Sequence, residues 1–143
     1  MNTNFLIKIK GLQIDAASDE AENMELTTEG VYEYDEENML YYIEYDESEA
    51  TGMEGTQTSV EIGQDYISVQ RSGSVNSDML FIEGRKTHST YNTPFGQLLM
   101  GIYTNKLEIE TSDNSCHIKA DYILDINDKL LGKNKLEINV WEA

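Results

Sequence analysis

The stretch Cys116-His117-Ile118-Lys119-Ala120-Asp121-Tyr122 alternates apolar and polar residues position by position. In extended chain, successive side chains point to opposite faces. Residues 116, 118, 120 and 122 then share one face, and His117, Lys119 and Asp121 share the other. This is the pattern of a half-buried antiparallel strand. It recurs in segment after segment between Phe5 and Trp141. A chain with so many strands and almost no helical period must hide its apolar sheet face by closing on itself or by packing on a second sheet.

Working outward, the alternation predicts strands over 24–34, 39–46, 56–62, 66–71, 78–83, 85–91, 97–104 resuming over 107–111 after a bend, 115–126 and 134–141, after a first strand over 5–14. In that first strand Phe5, Ile7 and Ile9 hold odd positions, whereas Leu12 and Ile14 hold even ones. Gly11 sits at the switch, which predicts a bulge or sharp bend. Residues 15–23 read as an acidic hairpin connection with room for one helical turn. Turns are expected at 35–38, 63–65 and 72–77, a loop at 48–55, and a bend at Asn105-Lys106. The one proline, Pro94, falls between strands, where its missing N–H does no harm. Short links between about eight to ten strands favour a single antiparallel up-and-down barrel over a sandwich. Glycines within strands point the same way, because closure requires bends.

The 143 residues are read as one domain, 1–143. A chain of this size hides roughly 68–70% of its unfolded surface, so it needs no covalent staples. Cys116 is the only cysteine, which rules out an internal disulfide and fits a reducing compartment. The start lacks a basic and an apolar leader region, and no apolar run reaches the roughly 18–20 residues of a membrane span. A cytoplasmic location away from membranes is the expectation. The net charge of −17 is unevenly placed: residues 11–70 hold 17 of the 27 acids and no Lys, Arg or His. Such a surface repels phosphate backbones, so no nucleic-acid partner is expected. If the chain docks a protein, that partner should be basic.

Arg71-Ser72-Gly73, Met79-x-Phe81-x-x-Gly84, Tyr91-x-Thr93-Pro94-Phe95-Gly96 and Thr104 stand in an order and spacing that resemble the YwiB-like family of uncharacterised bacterial proteins. Tyr122 and Leu136-Glu137-Ile138 extend the likeness over nearly the whole chain. The resemblance implies a lipocalin-like, or calycin-like, β-barrel of bacterial cytoplasmic origin. It implies no activity, and the acidic stretch before Arg71 has no counterpart in it.

Chemistry-bearing motifs are scarce. Neighbours on a strand face opposite ways, so Cys116 and His117 cannot form a local thiol–imidazole pair. Cys116 reads as a buried structural residue, and His88 as a surface one. Asp125-x-Asn127-Asp128 echoes a calcium loop but lacks its glycine and distal glutamate. No metal site, cofactor or catalytic constellation is expected. The leading candidate is Arg71, which shares a strand face with Ile67 and Val69 and should point inward. A guanidinium there must be paired or stacked. It can anchor an anion at the mouth of a lumen, or it can close the barrel by bonding carbonyls or stacking on an aromatic such as Trp141. Tyr41, Tyr45, Tyr103 and Tyr122 form the second candidate set, suited to a ligand cavity and equally to a core. The reading is a non-catalytic binding module for a small, mostly apolar ligand in the lumen. The alternative is a protein-interaction module whose acidic surface docks a basic partner.

Overall fold

The alternating stretch opens a strand, Ser115–Ile126, in the computed structural model, which describes residues 5–93 and 95–143. Pro94 and the first four residues lie outside the described residues. The strands are β1 (Phe5–Asp15), β2 (Ala21–Asp35), β3 (Leu40–Asp46), β4 (Thr56–Ile62) and β5 (Ile67–Gly73), then β6 (Ser77–Phe81), β7 (Lys86–Thr93), β8 (Gly96–Thr111), β9 (Ser115–Ile126) and β10 (Lys129–Glu142). One short 3-10 turn, Glu49–Thr51, interrupts the loop after β3.

The strands form one antiparallel sheet in the order β6-β5-β4-β3-β2-β1-β10-β9-β8-β7. Strand follows strand up and down, and β10 returns to pair with β1 from Phe5–Glu142 to Asp15–Gly132. The sheet thus curls into a nearly closed barrel. The two ends of the order, β6 and β7, meet without a backbone ladder among the described residues. The Thr87 hydroxyl bridges them by donating to the Leu80 carbonyl at 2.6 Å.

Inward positions build the core. Ile7, Ile43, Val60, Ile62, Phe81 and Ile102 are fully buried, and Ile118 and Ile138 join them from β9 and β10. Burying an aliphatic or aromatic side chain of this kind contributes roughly 1.5–3 kcal/mol. At one end of the barrel Tyr32 packs edge-on against Phe5 at 5.3 Å and stacks on Tyr41 at 5.4 Å, while Tyr34 tilts against Tyr41 at 4.6 Å. The Tyr32 hydroxyl donates to the Ser112 carbonyl at 2.7 Å and ties β2 to the β8–β9 hairpin.

Several local expectations are corrected. β1 keeps an unbroken register with both neighbours past Gly11, so the change of apolar phase needs no inserted residue. Residues 16–18 form a single turn closed by the Asp19 N–H donating to the Asp15 carbonyl at 2.9 Å, an i to i+4 bond as in one helical turn, while the Asp15 carboxylate accepts the Ala17 N–H at 2.7 Å. The segments 97–104 and 107–111 run on as one strand, β8, with a register shift between Thr104 and Lys106. The bend expected there is a bulge that the ladder absorbs. β10 starts at Lys129 rather than 134, with its own irregularity between Leu130 and Gly132.

Candidate functional site

β5 positions the arginine. Ile67 and Val69 are each 1% exposed, and the two-residue period carries Arg71 to the same inner face. Its side chain is only 14% exposed, and the partner is Glu47, whose side chain is 1% exposed. Glu47 lies two residues after the inward Tyr45, just beyond the end of β3. Arg71 Nε stands 3.7 Å from Glu47 Oε2. The Glu47 carboxylate is further held by hydroxyls: Thr51 donates to Oε1 at 2.9 Å, and Thr58 donates to Oε2. Burying an ion pair is costly unless further hydrogen bonds satisfy it, and the two threonines meet that need for the acid.

The base is less well served. Arg71 Nη1 reaches the Met79 sulfur at 3.6 Å, a weak acceptor. Arg71 Nε is buried and has no hydrogen-bond partner among the described residues. Trp141 is not a stacking partner. It is 38% exposed, on β10 near the Cys116 end.

Above this pair the barrel is hollow. A cavity of about 620 Å³ is lined by Arg71, Tyr122, Met79, Met100, Leu124 and Leu136, among others. Thr51 and Met53 from the loop after β3 border it, and Glu22 and Lys135 reach its rim. Ligand pockets commonly measure about 300–1,000 Å³, so this volume is adequate for a small organic molecule.

The tyrosines separate. Tyr122 follows Cys116, Ile118 and Ala120 on the inner face of β9, lines the cavity and meets Phe81 edge-on at 4.8 Å. Burial pushes its phenol above the usual range, and the Arg71 charge opposes that rise. Tyr45 is 3% exposed within the Arg71–Glu47 cluster. Burial first, then the Glu47 charge, raise its phenol, while Arg71 pulls it back in part. Tyr41 belongs to the aromatic cluster at the other end of the barrel. Tyr103 points outward, because its neighbours Ile102 and Thr104 are the buried ones. So Arg71, Tyr45 and Tyr122 come together, and Tyr41 and Tyr103 do not join them.

Glu47 was not singled out from the sequence, where it is one acid among 17 in a run without bases. Its phase with Ile43 and Tyr45 is the signal that finds it. Cys116 is buried, and burial pushes its thiol up to about 12. His117 faces outward, with Nδ1 2.6 Å from Asn139 Oδ1. His88 is exposed. Asp125 pairs with Lys86 at 3.0 Å rather than with other acids. Among the described residues no group of three or more His, Cys, Asp or Glu converges on a metal-sized site. No helix among them is long and apolar enough to cross a membrane.

These features define an all-β protein, a nearly closed ten-stranded up-and-down barrel. It is packed with aromatics at one end and hollow at the other, with an arginine–glutamate pair beside the hollow. The family model described as a domain of unknown function, DUF1934, matches residues 7–138, and the chain belongs to that family. It is 24% identical over 127 residues to the uncharacterized beta-barrel protein YwiB of Bacillus subtilis (strain 168), an alignment covering 89% of this chain and 85% of that one. The crystal structure of the ywiB protein from Bacillus subtilis superposes with a TM-score of 0.78 at 21% identity, covering 100% of this chain and 95% of that chain. That likeness establishes the fold.

Proposed function

We propose that this barrel is a non-catalytic binding module for a small, mostly apolar ligand held in its lumen. The observation that carries the reading is the cavity of about 620 Å³, walled largely by methionine, leucine, isoleucine and tyrosine side chains beside one buried guanidinium. A barrel of this size can be filled by its own side chains. Here the Phe5–Tyr32 end is packed in that way and the Arg71 end is not. Methionines suit a ligand wall because their unbranched thioethers adapt to different shapes. Arg71 and Tyr122 on the cavity wall supply the few convergent polar groups that fix orientation in such a site, with Tyr45 packed behind the arginine.

Native mass spectrometry of the protein purified from its own cells tests this. The expected result is a mass excess that organic extraction removes. A second arm substitutes Leu136→Trp to fill the cavity and follows binding of the neutral probe N-phenyl-1-naphthylamine. The probe should bind the parent and lose affinity at least tenfold in the variant. A parent that carries no extra mass and binds no apolar probe overturns the reading.

A further inference from the structure

We propose that the ligand is a singly charged carboxylate amphiphile. Its head group sits on Arg71 at the open seam between β6 and β7, and its apolar part lies among the methionines. The proposal rests on the reading of the cavity as a ligand site and names the class of ligand that the site takes.

The first observation is where Arg71 is reached from. Outside the barrel, a groove of about 320 Å³ runs over β4 to β7, lined by outward residues such as Gln70, Asp78, Thr90 and Asn92. Arg71 and Ser77 line this groove and also line the inner cavity. Both are inward positions of their strands, in phase with Val69 and Met79. Arg71 and Ser77 form the last ladder pair of β5 and β6, so groove and cavity meet at this strand end. The same corner adjoins the β6–β7 edge, the one neighbouring pair lacking a backbone ladder among the described residues. The guanidinium is therefore within reach from both sides of the sheet at the end of this seam.

The second observation is the state of that guanidinium. Its five N–H donors are met by a methionine sulfur at 3.6 Å and by a carboxylate at 3.7 Å, longer than a hydrogen bond. Glu47, in contrast, accepts from two threonine hydroxyls. The acid is held in place by the protein, and the base keeps donors to give. A planar donor fork with free N–H groups matches a carboxylate in a two-point contact.

Charge sets the limit of one. Arg71 is already offset in part by Glu47, and the other cation on the cavity wall, Lys135, is exposed. With Glu47 facing the same guanidinium, a dianionic phosphate would leave two uncompensated charges and a monoanion only one, so the lower charge is the less costly to bury. Glu22 at the rim repels an anion from the mouth and favours the head at Arg71. Four of the six methionines, Met24, Met53, Met79 and Met100, line the remaining space and suit a flexible chain.

The test is competition against bound N-phenyl-1-naphthylamine at pH 8 by decanoate, decanol and decylamine, which share one chain and differ in head charge. Decanoate should displace the probe at a concentration at least tenfold below decanol. In Arg71→Gln, decanoate should displace the probe no better than decanol does in the same variant. If Arg71→Gln does not fold, the Glu47→Gln/Arg71→Gln double variant, which removes both charges together, replaces it with the same expectation. Decanol equal to decanoate in the parent overturns the carboxylate proposal and leaves the ligand site standing. Preferential binding of decylamine overturns it by assigning recognition to Glu47. Failure of the probe itself to bind overturns the ligand site and the proposal with it.

Discussion

Arg71 and Glu47 need each other whether or not a ligand is present. Removing one partner of a buried pair leaves the other uncompensated, at a cost of roughly 3–5 kcal/mol. Arg71→Ala should therefore lower the unfolding free energy obtained from urea titration by an amount in that range. The Glu47→Gln/Arg71→Gln double variant should recover much of the loss, and a single variant as stable as the parent would show the pair to be peripheral. The arginine was legible because strand phase with Ile67 and Val69 fixes which way it faces. Its partner was harder to read: phase with Ile43 and Tyr45 turns Glu47 inward, but only the strand order, with β4 alone between β3 and β5, brings it to the arginine. The same limit explains the tyrosines. Alternation gives the face of Tyr41 but not its height along the barrel axis, and height places it at the packed end. Cys116 carries a second test at this scale. Its thiol is raised from the ordinary 9.0 to about 12 by burial, so the unfolded chain loses this proton first. The stabilising contribution is complete below about pH 9 and is lost as pH rises toward 12, at up to ~1.4 kcal/mol per pH unit. Urea unfolding across pH 8–11 should show a shallower decline for Cys116→Ala than for the parent, and parallel slopes would refute the assignment.

At the scale of single elements, β2 shows how one residue lets a strand serve two neighbours. Its first part pairs with β1 up to Gly30, and its last five residues, Val31 to Asp35, pair with β3. At the handover, a Cβ on Gly30 would collide with the Glu44 carbonyl and the Ile7 side chain. Gly30→Ala must push β3 or Ile7 aside, and overpacking of this kind costs roughly 1–3 kcal/mol. Thermal melts should show it clearly, whereas Gly84→Ala, with open space around its Cβ, tests only the strain of φ 76°. Element boundaries were legible where alternation was clean: 56–62 and 115–126 match β4 and β9. They were misread where the ladder tolerates irregularity. The irregularity near Asn105 changes phase within β8 and reads as a bend in sequence, whereas Gly11 changes apolar phase with no bulge at all. Apolar order reports the face of a residue, and backbone pairing decides whether the strand continues. The missing β6–β7 ladder was not read from sequence either: β6 alternates normally and β7 is polar along nearly its whole length, and neither pattern says which edges stay unpaired.

At the scale of the whole molecule, charge and topology combine. β2 and β3, with the turns that flank them, lie in the 11–70 stretch that has acids and no bases, so this side of the barrel presents one sign of charge. Eight of the ten Lys and Arg residues fall from Arg71 onward, and several are already engaged: Lys86 with Asp125 at 3.0 Å, Lys106 with Glu108 at 3.2 Å, and Arg71 with Glu47. Lys106, with its hydrogen bond and charge, also holds the Glu108 carboxyl below its usual range. Phosphate binding needs clustered cations that are free to replace counterions, and paired ones contribute little. Fluorescence anisotropy with labelled single-stranded and duplex oligonucleotides at about 0.15 M salt should therefore show no micromolar binding, since fields reach only some 8 Å there. If the acidic side docks a protein, that partner should be basic, and its affinity should fall as salt rises, because such attraction acts at close range. Oligonucleotide binding that weakens steeply with salt would mean that Lys119, Lys129, Lys133 and Lys135 on β9 and β10 form a working patch, outweighing a net charge of −17.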